Sequence, residues 1–231
     1  MKRSFFVFLC FATLTIQAQN GVVTNEVRTI KGEDMPTRAT LTFDVQRIKA
    51  MGNSAASSNA AGETQWEVCA NTPLSEEMKE QLYPQLHKFL VNFGEKTAVN
   101  VLLDWVQSSF RFTSRAKASS NVKRPNRPYY PEEMLYYLQG DSEDFAILFS
   151  RIVRDLLGLD VALVNYSSKA EGKTFNHMST AILFTEEVPG DAVTVGEKRY
   201  VIADPTYLGA PVGRTHPHFD NSTAKILLLK R

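Results

Sequence analysis

The sequence has little cysteine, no excess of charge of one sign, and no long apolar run beyond its first residues. Cysteine occurs only at positions 10 and 69 of 231 residues, and the formal net charge is +1. A nearly neutral chain has no global attraction to nucleic acid or acidic lipid, so we expect neither as a partner. Beyond residue 18 no apolar run is long enough to cross a bilayer, so we expect no transmembrane span there.

Residues 1–18 are typical of a secretory signal peptide. Lys2 and Arg3 supply a positive start, residues 5–16 are mostly apolar, and Ala18 ends the segment. We therefore expect a secreted or periplasmic protein. Cleavage removes two cations, so the formal charge changes from +1 to −1, and Cys69 is then the one cysteine left. The mature chain has no internal disulfide, and its core alone must stabilise the fold.

Residues 19–73 form an N-terminal segment that we expect to be mostly extended. Leu41, Phe43 and Val45 alternate with polar residues, which is the pattern of a half-buried strand. Residues 66–70 also resemble a strand, in which Cys69 is a small buried apolar residue. Between them, residues 52–62 contain only Gly, Asn, Ser and Ala, which predicts a flexible loop.

Residues 74–231 show helical patterns first and strand patterns afterwards. Apolar spacing predicts helices from about residue 75 to Gly94, over 96–109, over 131–138, and from residue 142 to Gly158. Short apolar runs predict strands over 161–166, 179–184 and 200–203, and a last apolar stretch covers 226–229. This order favours an α+β fold over a parallel βαβ repeat.

Three residues carry the side chains needed for nucleophilic catalysis. Ser142 opens a long, strongly amphipathic helix, His177 opens a predicted strand, and Asp204 ends another. The field of a helix N-terminus favours a negative charge on a nucleophile. Histidine can act as its base, and aspartate can orient that histidine. We therefore expect the three side chains to converge at one end of the helix, with His177 between the other two.

The motif Gly140-Asp141-Ser142-Glu143-Asp144, followed by an apolar helix, resembles the Gly-Asp-Cys-Glu-Asp motif of transglutaminase-like proteins. Asp204-Pro205-Thr206-Tyr207 is similar to the third motif of that family, and the segment 103–107 resembles the helix before its nucleophile. The likeness extends over residues 74–229. It implies a papain-like core, in which the helix of the nucleophile packs on an antiparallel sheet.

The resemblance also implies chemistry at amide bonds, by acyl transfer or hydrolysis. It places Ser142 at the nucleophile position, His177 as base and Asp204 as the orienting acid. This chain departs from the family at Ser142, where a cysteine is expected. A hydroxyl does not rest as an anion, so it must pass its proton to His177 during attack. We interpret the serine as natural and not engineered, because the sequence still carries its signal peptide, which is usually omitted from engineered proteins.

Other candidate residues have two interpretations each. Gln107 could donate to an oxyanion and Trp105 could line the site, although a tryptophan on a helix is more often part of the core. His216 and His218 supply too few ligands for a metal and are expected on the surface. We expect no metal and no cofactor. Gly-Asp-Ser also begins the nucleophile block of Gly-Asp-Ser-Leu esterases, but no leucine and no Asp-x-x-His block follows.

Three functions remain open at this point. The first is a secreted or periplasmic transglutaminase-like domain with impaired catalysis that retains binding of a peptide or protein amide ligand. The second is an active amide hydrolase or acyltransferase that uses Ser142, His177 and Asp204. The third is a structural cell-envelope protein in which the motifs serve folding. The sequence predicts neither the ligand nor the oligomeric state.

Overall fold

The computed structural model describes residues 22–32, 35–53, 63–114, 127–170 and 173–229. The predicted signal peptide (residues 1–18) and residues 54–62 of the predicted loop lie outside these ranges. The elements are, in chain order, β1 (Val22–Gly32), β2 (Met35–Asp44), α1 (Val45–Asn53), α2 (Gln65–Asn71), α3 (Glu76–Leu90), α4 (Glu95–Ser109), β3 (Arg111–Phe112), α5 (Pro131–Tyr137), β4 (Gln139–Gly140), α6 (Ser142–Leu157), β5 (Asp160–Ala170), β6 (Lys173–Leu183), β7 (Ala192–Val195), β8 (Lys198–Ala203) and β9 (Lys225–Leu228).

An antiparallel sheet forms one layer of the molecule, with the strand order β7-β8-β6-β5-β9. Helix α6 packs on β5 and β6 of this sheet, and α2, α4 and α5 pack against α6. The predicted α+β fold, with the helix that begins at Ser142 on an antiparallel sheet, is therefore confirmed. None of the described helices is long and apolar enough to cross a membrane.

Helix α6 lies at the centre of the core because it is covered by the sheet and by other helices. Its predicted apolar face is buried, and so are residues on its remaining surface. The buried apolar residues are Phe145, Ala146, Ile147, Leu148, Phe149, Ile152 and Val153. The helix ends at Gly158, whose φ of 66° is the left-handed conformation that glycine adopts without strain. A helix in this position holds its first residue firmly relative to the sheet.

The N-terminal segment is less extended than its sequence suggested. Residues 45–53 form α1, so Gly52 and Asn53 end a helix and do not begin a loop. Leu41 and Phe43 of β2 are buried as predicted, and Ile48 of α1 joins them in one hydrophobic cluster with α3, α4 and α6. The segment before residue 74 thus contributes to the same core as the rest of the described chain.

The strand predicted over residues 66–70 is wrong, because these residues belong to helix α2. Thr64 caps this helix: its hydroxyl accepts from the backbone N–H of Glu67, whose carboxylate accepts in return from the N–H of Thr64. Arg154 of α6 fixes the other end by donating to the carbonyl of Ala70 and to Asn71 Oδ1. Cys69 is buried, as predicted.

One further prediction needs correction. Helix α3 begins after Ser75, which caps it, but ends at Leu90, and Gly94 is instead the N-cap of α4.

Arg127 is buried in an ion pair with Glu133, with 2.7 Å between Nη1 and Oε2. Burial lowers the pKa of Arg127, but the bond and charge of Glu133 outweigh this effect, so its pKa is raised overall.

Candidate functional site

The first turn of α6 is fixed by reciprocal capping. Asp141 is the N-cap, and its Oδ1 accepts from the N–H groups of Glu143 (3.2 Å) and Asp144 (3.5 Å). The buried Asp144 returns a bond through Oδ2, which accepts from the N–H of Asp141 at 2.8 Å. Its Oδ1 accepts from the N–H of Tyr129 at 2.7 Å. These bonds satisfy backbone N–H groups at the start of α6 that have no partner within the helix, and they hold Ser142 in one place.

Gly140 is required by close packing against this cap. A Cβ at this position would lie 2.7 Å from the Cβ of Asp144 and 2.8 Å from the Sδ of Met134. Gly140 also pairs with Phe112 in the short parallel ladder of β3 and β4. Three positions of the Gly-Asp-Ser-Glu-Asp motif, namely Gly140, Asp141 and Asp144, therefore have structural reasons of their own.

Ser142 begins α6 and is only 7% exposed. Its hydroxyl oxygen accepts a hydrogen bond from the backbone N–H of Met178, at 3.2 Å. Met178 follows His177 on β6, so the contact places Ser142 beside the histidine strand. Among the residues that the structure describes, no hydrogen bond joins the Ser142 hydroxyl to His177.

His177 and Asp204 form a hydrogen-bonded pair. The Nε2 of His177 lies 2.7 Å from the Oδ2 of Asp204, and the two side chains are 12% and 2% exposed. Because Nε2 is committed to the aspartate, Nδ1 is the nitrogen left to act on a nucleophile. His177 lies within β6 and not at its start as predicted, since β5 and β6 extend as a hairpin to Ala170 and Lys173.

Asp204 follows β8 and is held in its charged form. Burial raises the pKa of this carboxyl, but the hydrogen bond and charge of His177 and two bonds from Thr206 more than offset it. The pKa therefore lies below its ordinary value. Both the backbone N–H and the hydroxyl of Thr206 donate to Oδ1 at 2.9 Å. An ionised Asp204 is the form that can orient His177 and stabilise its cation.

The structure thus joins His177 to Asp204, and it joins β6 to Ser142 through the backbone N–H of Met178, the residue after His177. The convergence of all three side chains stays a prediction. The positive end of the helix dipole lies at Ser142. Such an arrangement can favour a negative charge on a nucleophile and a positive charge on the neighbouring imidazole. The catalytic roles of the three residues stay predictions.

Gln107 is engaged with the loop after Asp204 and not with a site for an oxyanion. Its Nε2 donates to the carbonyls of Asp204 (2.9 Å), Tyr207 (2.9 Å) and Ala210 (3.1 Å). Its Oε1 accepts from the N–H of Gly209 at 3.0 Å. The side-chain amide protons of Gln107 are therefore engaged in hydrogen bonds within the protein, and one of these bonds positions the backbone carbonyl of Asp204.

Trp105 is buried in the core, as the alternative interpretation of this residue required. Its ring meets that of Phe110 edge to face, with 5.6 Å between the centroids. Phe110 in turn meets Phe145 of α6 in the same way, at 6.2 Å. Trp105 therefore helps to seat α4 against the helix of Ser142 through aromatic packing.

Two aromatic residues near His177 were missed by sequence analysis. Phe219 stacks on the imidazole, with 4.5 Å between the centroids and 6° between the planes, and Tyr166 lies opposite His177 on β5. His216 and His218, expected as surface residues, precede Phe219 in the loop before β9. No periodic pattern could have revealed these contacts, because the loop lies about forty residues beyond His177.

A cavity of about 240 Å³ opens beside the first turn of α6. Its lining residues are Thr64, Gln65, Trp66, Pro128 and Glu143. The cavity is smaller than the roughly 300–1,000 Å³ of pockets for drug-sized ligands, so it suits a single side chain. Within the described ranges, no group of three or more His, Cys, Asp or Glu side chains could hold a metal ion.

No protein-family profile matches the chain, and no curated protein matches it in sequence. Among solved structures it is similar to a candidate cysteine protease from Cytophaga hutchinsonii, at 16% identity and a TM-score of 0.39, over 73% of this chain and 53% of that one. It is also similar to calcium-bound Legionella pneumophila LapG (14%, 0.41, 70% and 83%) and to a TGase (16%, 0.39, 85% and 47%). The chain spans about half the length of the Cytophaga protein and of the TGase.

Proposed function

We propose that this chain is a secreted or periplasmic transglutaminase-like domain with impaired catalysis, which retains a site for a peptide or protein amide ligand. The observation that carries the proposal is a contrast between two parts of the site: His177 and Asp204 are paired, but the hydroxyl of Ser142 is not bonded to that pair. His177 and Asp204 are 2.7 Å apart, as an orienting pair requires. Ser142 instead accepts a hydrogen bond from a backbone amide.

The impairment follows from the acidity of the nucleophile. A thiol at a helix N-terminus beside an imidazole loses its proton before attack, because the field and the counter-charge both lower its pKa. A serine hydroxyl is far too weak an acid for that and must donate its proton to the histidine as it attacks. The hydrogen bond from Met178 draws on the same oxygen lone pairs that would attack, which weakens Ser142 further as a nucleophile.

Binding is supported by the cavity that Glu143, the residue after Ser142, helps to line. Trp66 offers an aromatic wall, while Glu143 and Gln65 offer polar groups. A small pocket with an aromatic wall and a few polar groups suits one amino-acid side chain of a larger ligand. A peptide whose side chain enters this cavity would lie beside the N-terminus of α6, where its amide could reach Ser142.

The test restores the thiol. We expect Ser142→Cys protein to react with iodoacetamide near pH 6 about tenfold faster than free cysteine, because a lowered pKa supplies more thiolate. Cys69 is an internal control that should react slowly, since burial raises its pKa to about 12. His177→Ala in the same protein should slow the reaction by removing the counter-charge. If the introduced thiol reacts no faster than free cysteine, the proposed site is refuted and a structural role is favoured.

The second candidate function is an active hydrolase or acyltransferase that uses the serine. The intact pair of His177 and Asp204 favours it, because serine can work with a base that an acid orients. Turnover of glutamine-containing or other amide peptides by the unmodified protein, abolished in Ser142→Ala, would establish this function and overturn the proposal of impaired catalysis.

The proposed location is tested separately. We expect the protein recovered from its native host to begin near Gln19, after removal of the signal peptide. Mass spectrometry of the intact protein measures this end directly. Soluble cytoplasmic protein that still carries Met1 would contradict the location without bearing on the site.

A further inference from the structure

The imidazole of His177 is covered by aromatic rings from two elements. Phe219, in the loop before β9, lies nearly parallel to it at 4.5 Å, and Tyr166 of β5 lies 6.0 Å away at an angle of 25°. Phe219 and Tyr166 also stack on each other, at 5.1 Å. The three rings form one contiguous group, so Phe219 cannot move away without breaking contacts with both neighbours.

The segment that carries Phe219, residues 215–221, is tied down by hydrogen bonds. The hydroxyl of Tyr166 donates to Asn221 Oδ1 at 2.7 Å, and Asn221 Nδ2 donates to the hydroxyl of Thr215 at 2.8 Å. The N–H of Thr215 donates to Asp191 Oδ2 at 2.8 Å. Within the segment, the N–H of Phe219 donates to the carbonyl of His216 at 3.0 Å. Both ends of the segment are therefore anchored, one of them to the strand that pairs with β6.

The point where this segment begins is set by two glycines in close contact. A Cβ on Gly190 would lie 2.5 Å from the Cα of Gly213, and one on Gly213 would lie 2.7 Å from the carbonyl oxygen of Pro189. Their φ values of 127° and 86° also disfavour any other residue. Two chain segments thus meet backbone to backbone just before Thr215, which fixes the direction in which the segment crosses the site.

A cover of this kind affects the histidine in two ways. A ring stacked on the imidazole limits its rotation, which keeps Nε2 on Asp204 and leaves Nδ1 for a nucleophile. It also excludes water from one face of the pair of His177 and Asp204. A hydrogen bond to a charged group is stronger where water is excluded, because the local dielectric constant is lower.

We propose that residues 215–221 are a cover over His177, in which Phe219 is a positioning residue that holds the imidazole on Asp204 and shields their hydrogen bond from water. Phe219 acts through His177 and is not itself a catalytic residue. The inference deepens the proposed function and rests on it for the role of His177 as a base, but the cover itself can be measured without any ligand or reaction.

The test follows the proton between His177 Nε2 and Asp204 by NMR of protein labelled with 15N. In the unmodified protein we expect this proton to give a downfield-shifted signal and to exchange slowly with water. Phe219→Ala should exchange this proton with water about tenfold faster, since the protection is lost by local opening. Phe219→Tyr keeps a stacked ring and should retain the protection. His218→Ala removes a ring of the same loop that stacks on His216 and on neither His177 nor Phe219, and it is the matched control.

A second variant keeps the test decisive if the alanine variant does not fold. Phe219→Leu retains apolar volume but has no planar face, so we expect it to keep its circular dichroism spectrum and still lose protection of the proton. Exchange as slow as in the unmodified protein, in either folded variant, would overturn the cover. Equally fast exchange of the proton in His218→Ala and Phe219→Ala would also overturn the cover, because the effect would then come from general loosening of the loop.

The outcome for the cover can be told apart from the outcome for the proposed function. If Ser142→Cys is unreactive but the proton is protected only when an aromatic ring occupies position 219, the cover stands and the proposed chemistry fails. If Ser142→Cys reacts quickly and Phe219→Ala leaves both the proton and that reaction unchanged, the proposed site stands and the cover is wrong.

Discussion

Replacement of Gln107 by alanine should loosen the loop that carries Asp204. The side chain is 8% exposed and makes four hydrogen bonds to the backbone after β8. Its amide group thereby joins α4 to the end of the strand that presents Asp204. Alanine removes all of these bonds. The carbonyls of Asp204 and Tyr207 still accept from backbone N–H groups, but the carbonyl of Ala210 and the N–H of Gly209 lose the bond to Gln107.

The size of the effect follows from the number of bonds. An intramolecular hydrogen bond contributes about 0.5–1.5 kcal/mol to stability after exchange with water. The amide group has two hydrogens for three carbonyls, so the four contacts equal about three full bonds. We therefore expect Gln107→Ala to lower the free energy of unfolding by roughly 2–4 kcal/mol.

Asn100 provides the comparison on the same helix. Its Oδ1 accepts a single bond from the N–H of Val212, at 2.8 Å, so Asn100→Ala should cost about 1 kcal/mol. Urea unfolding followed by circular dichroism measures both variants. The histidine NMR signals should show a larger disturbance at His177 for Gln107→Ala than for Asn100→Ala. A cost for Gln107→Ala no greater than that for Asn100→Ala would refute the role of Gln107 as an anchor of the Asp204 loop.

Three further changes probe the surroundings of the site. Asp204→Asn should reduce stability at neutral pH. Because folding lowers the pKa of Asp204, its contribution to stability is complete above about pH 4 and is lost as the pH falls through the folded pKa. The difference in stability between the two proteins, measured by urea unfolding, should therefore shrink in acid. Arg127→Ala should cost roughly 3–5 kcal/mol in the same assay, since it leaves Glu133 buried without its cation. Gly140→Ala should lower the melting temperature, because the added Cβ meets Asp144 at 2.7 Å; an unchanged melting temperature would contradict that packing.

The sequence predicted those helices and strands that are determined by residues close together in the chain. Helix α6 was identified because its apolar residues recur at helical spacing and Gly158 stops it. Asp204 was placed at the end of a strand because the apolar run before it is short and is followed by Asp-Pro. Helix α2 was missed because residues 66–70 are a short and mostly apolar run, which fits a strand as well as a helix. The spacing of Thr64 and Glu67 is that of a capping box and could have identified the helix.

Contacts between distant segments could not be predicted in this way. Phe219 stacks on His177 across 42 positions of sequence, through a loop whose path depends on the contact of Gly190 with Gly213. The sequence offered Gln107 as a possible oxyanion donor, in a segment (103–107) that resembles the helix before the nucleophile of the family. Its real partners are backbone carbonyls, which have no sequence signature. Both residues act through the fold and not through a local motif.

The structure changes what the resemblance at the nucleophile motif can support. Gly140 is required by its approach to Asp144, Asp141 caps α6, and Asp144 returns the cap and binds the loop at Tyr129. Any chain that starts a buried helix in this manner benefits from these three residues, whatever its chemistry. The motif is therefore weak support for catalysis, and Ser142 and the side chain of Glu143 are the parts of it that packing and capping do not explain. The pair of His177 and Asp204 is stronger support, because burying an aspartate beside a histidine opposes folding unless the two groups are well matched. Variants of that pair, and not of the motif, are the ones that separate a working or ligand-binding site from a structural remnant.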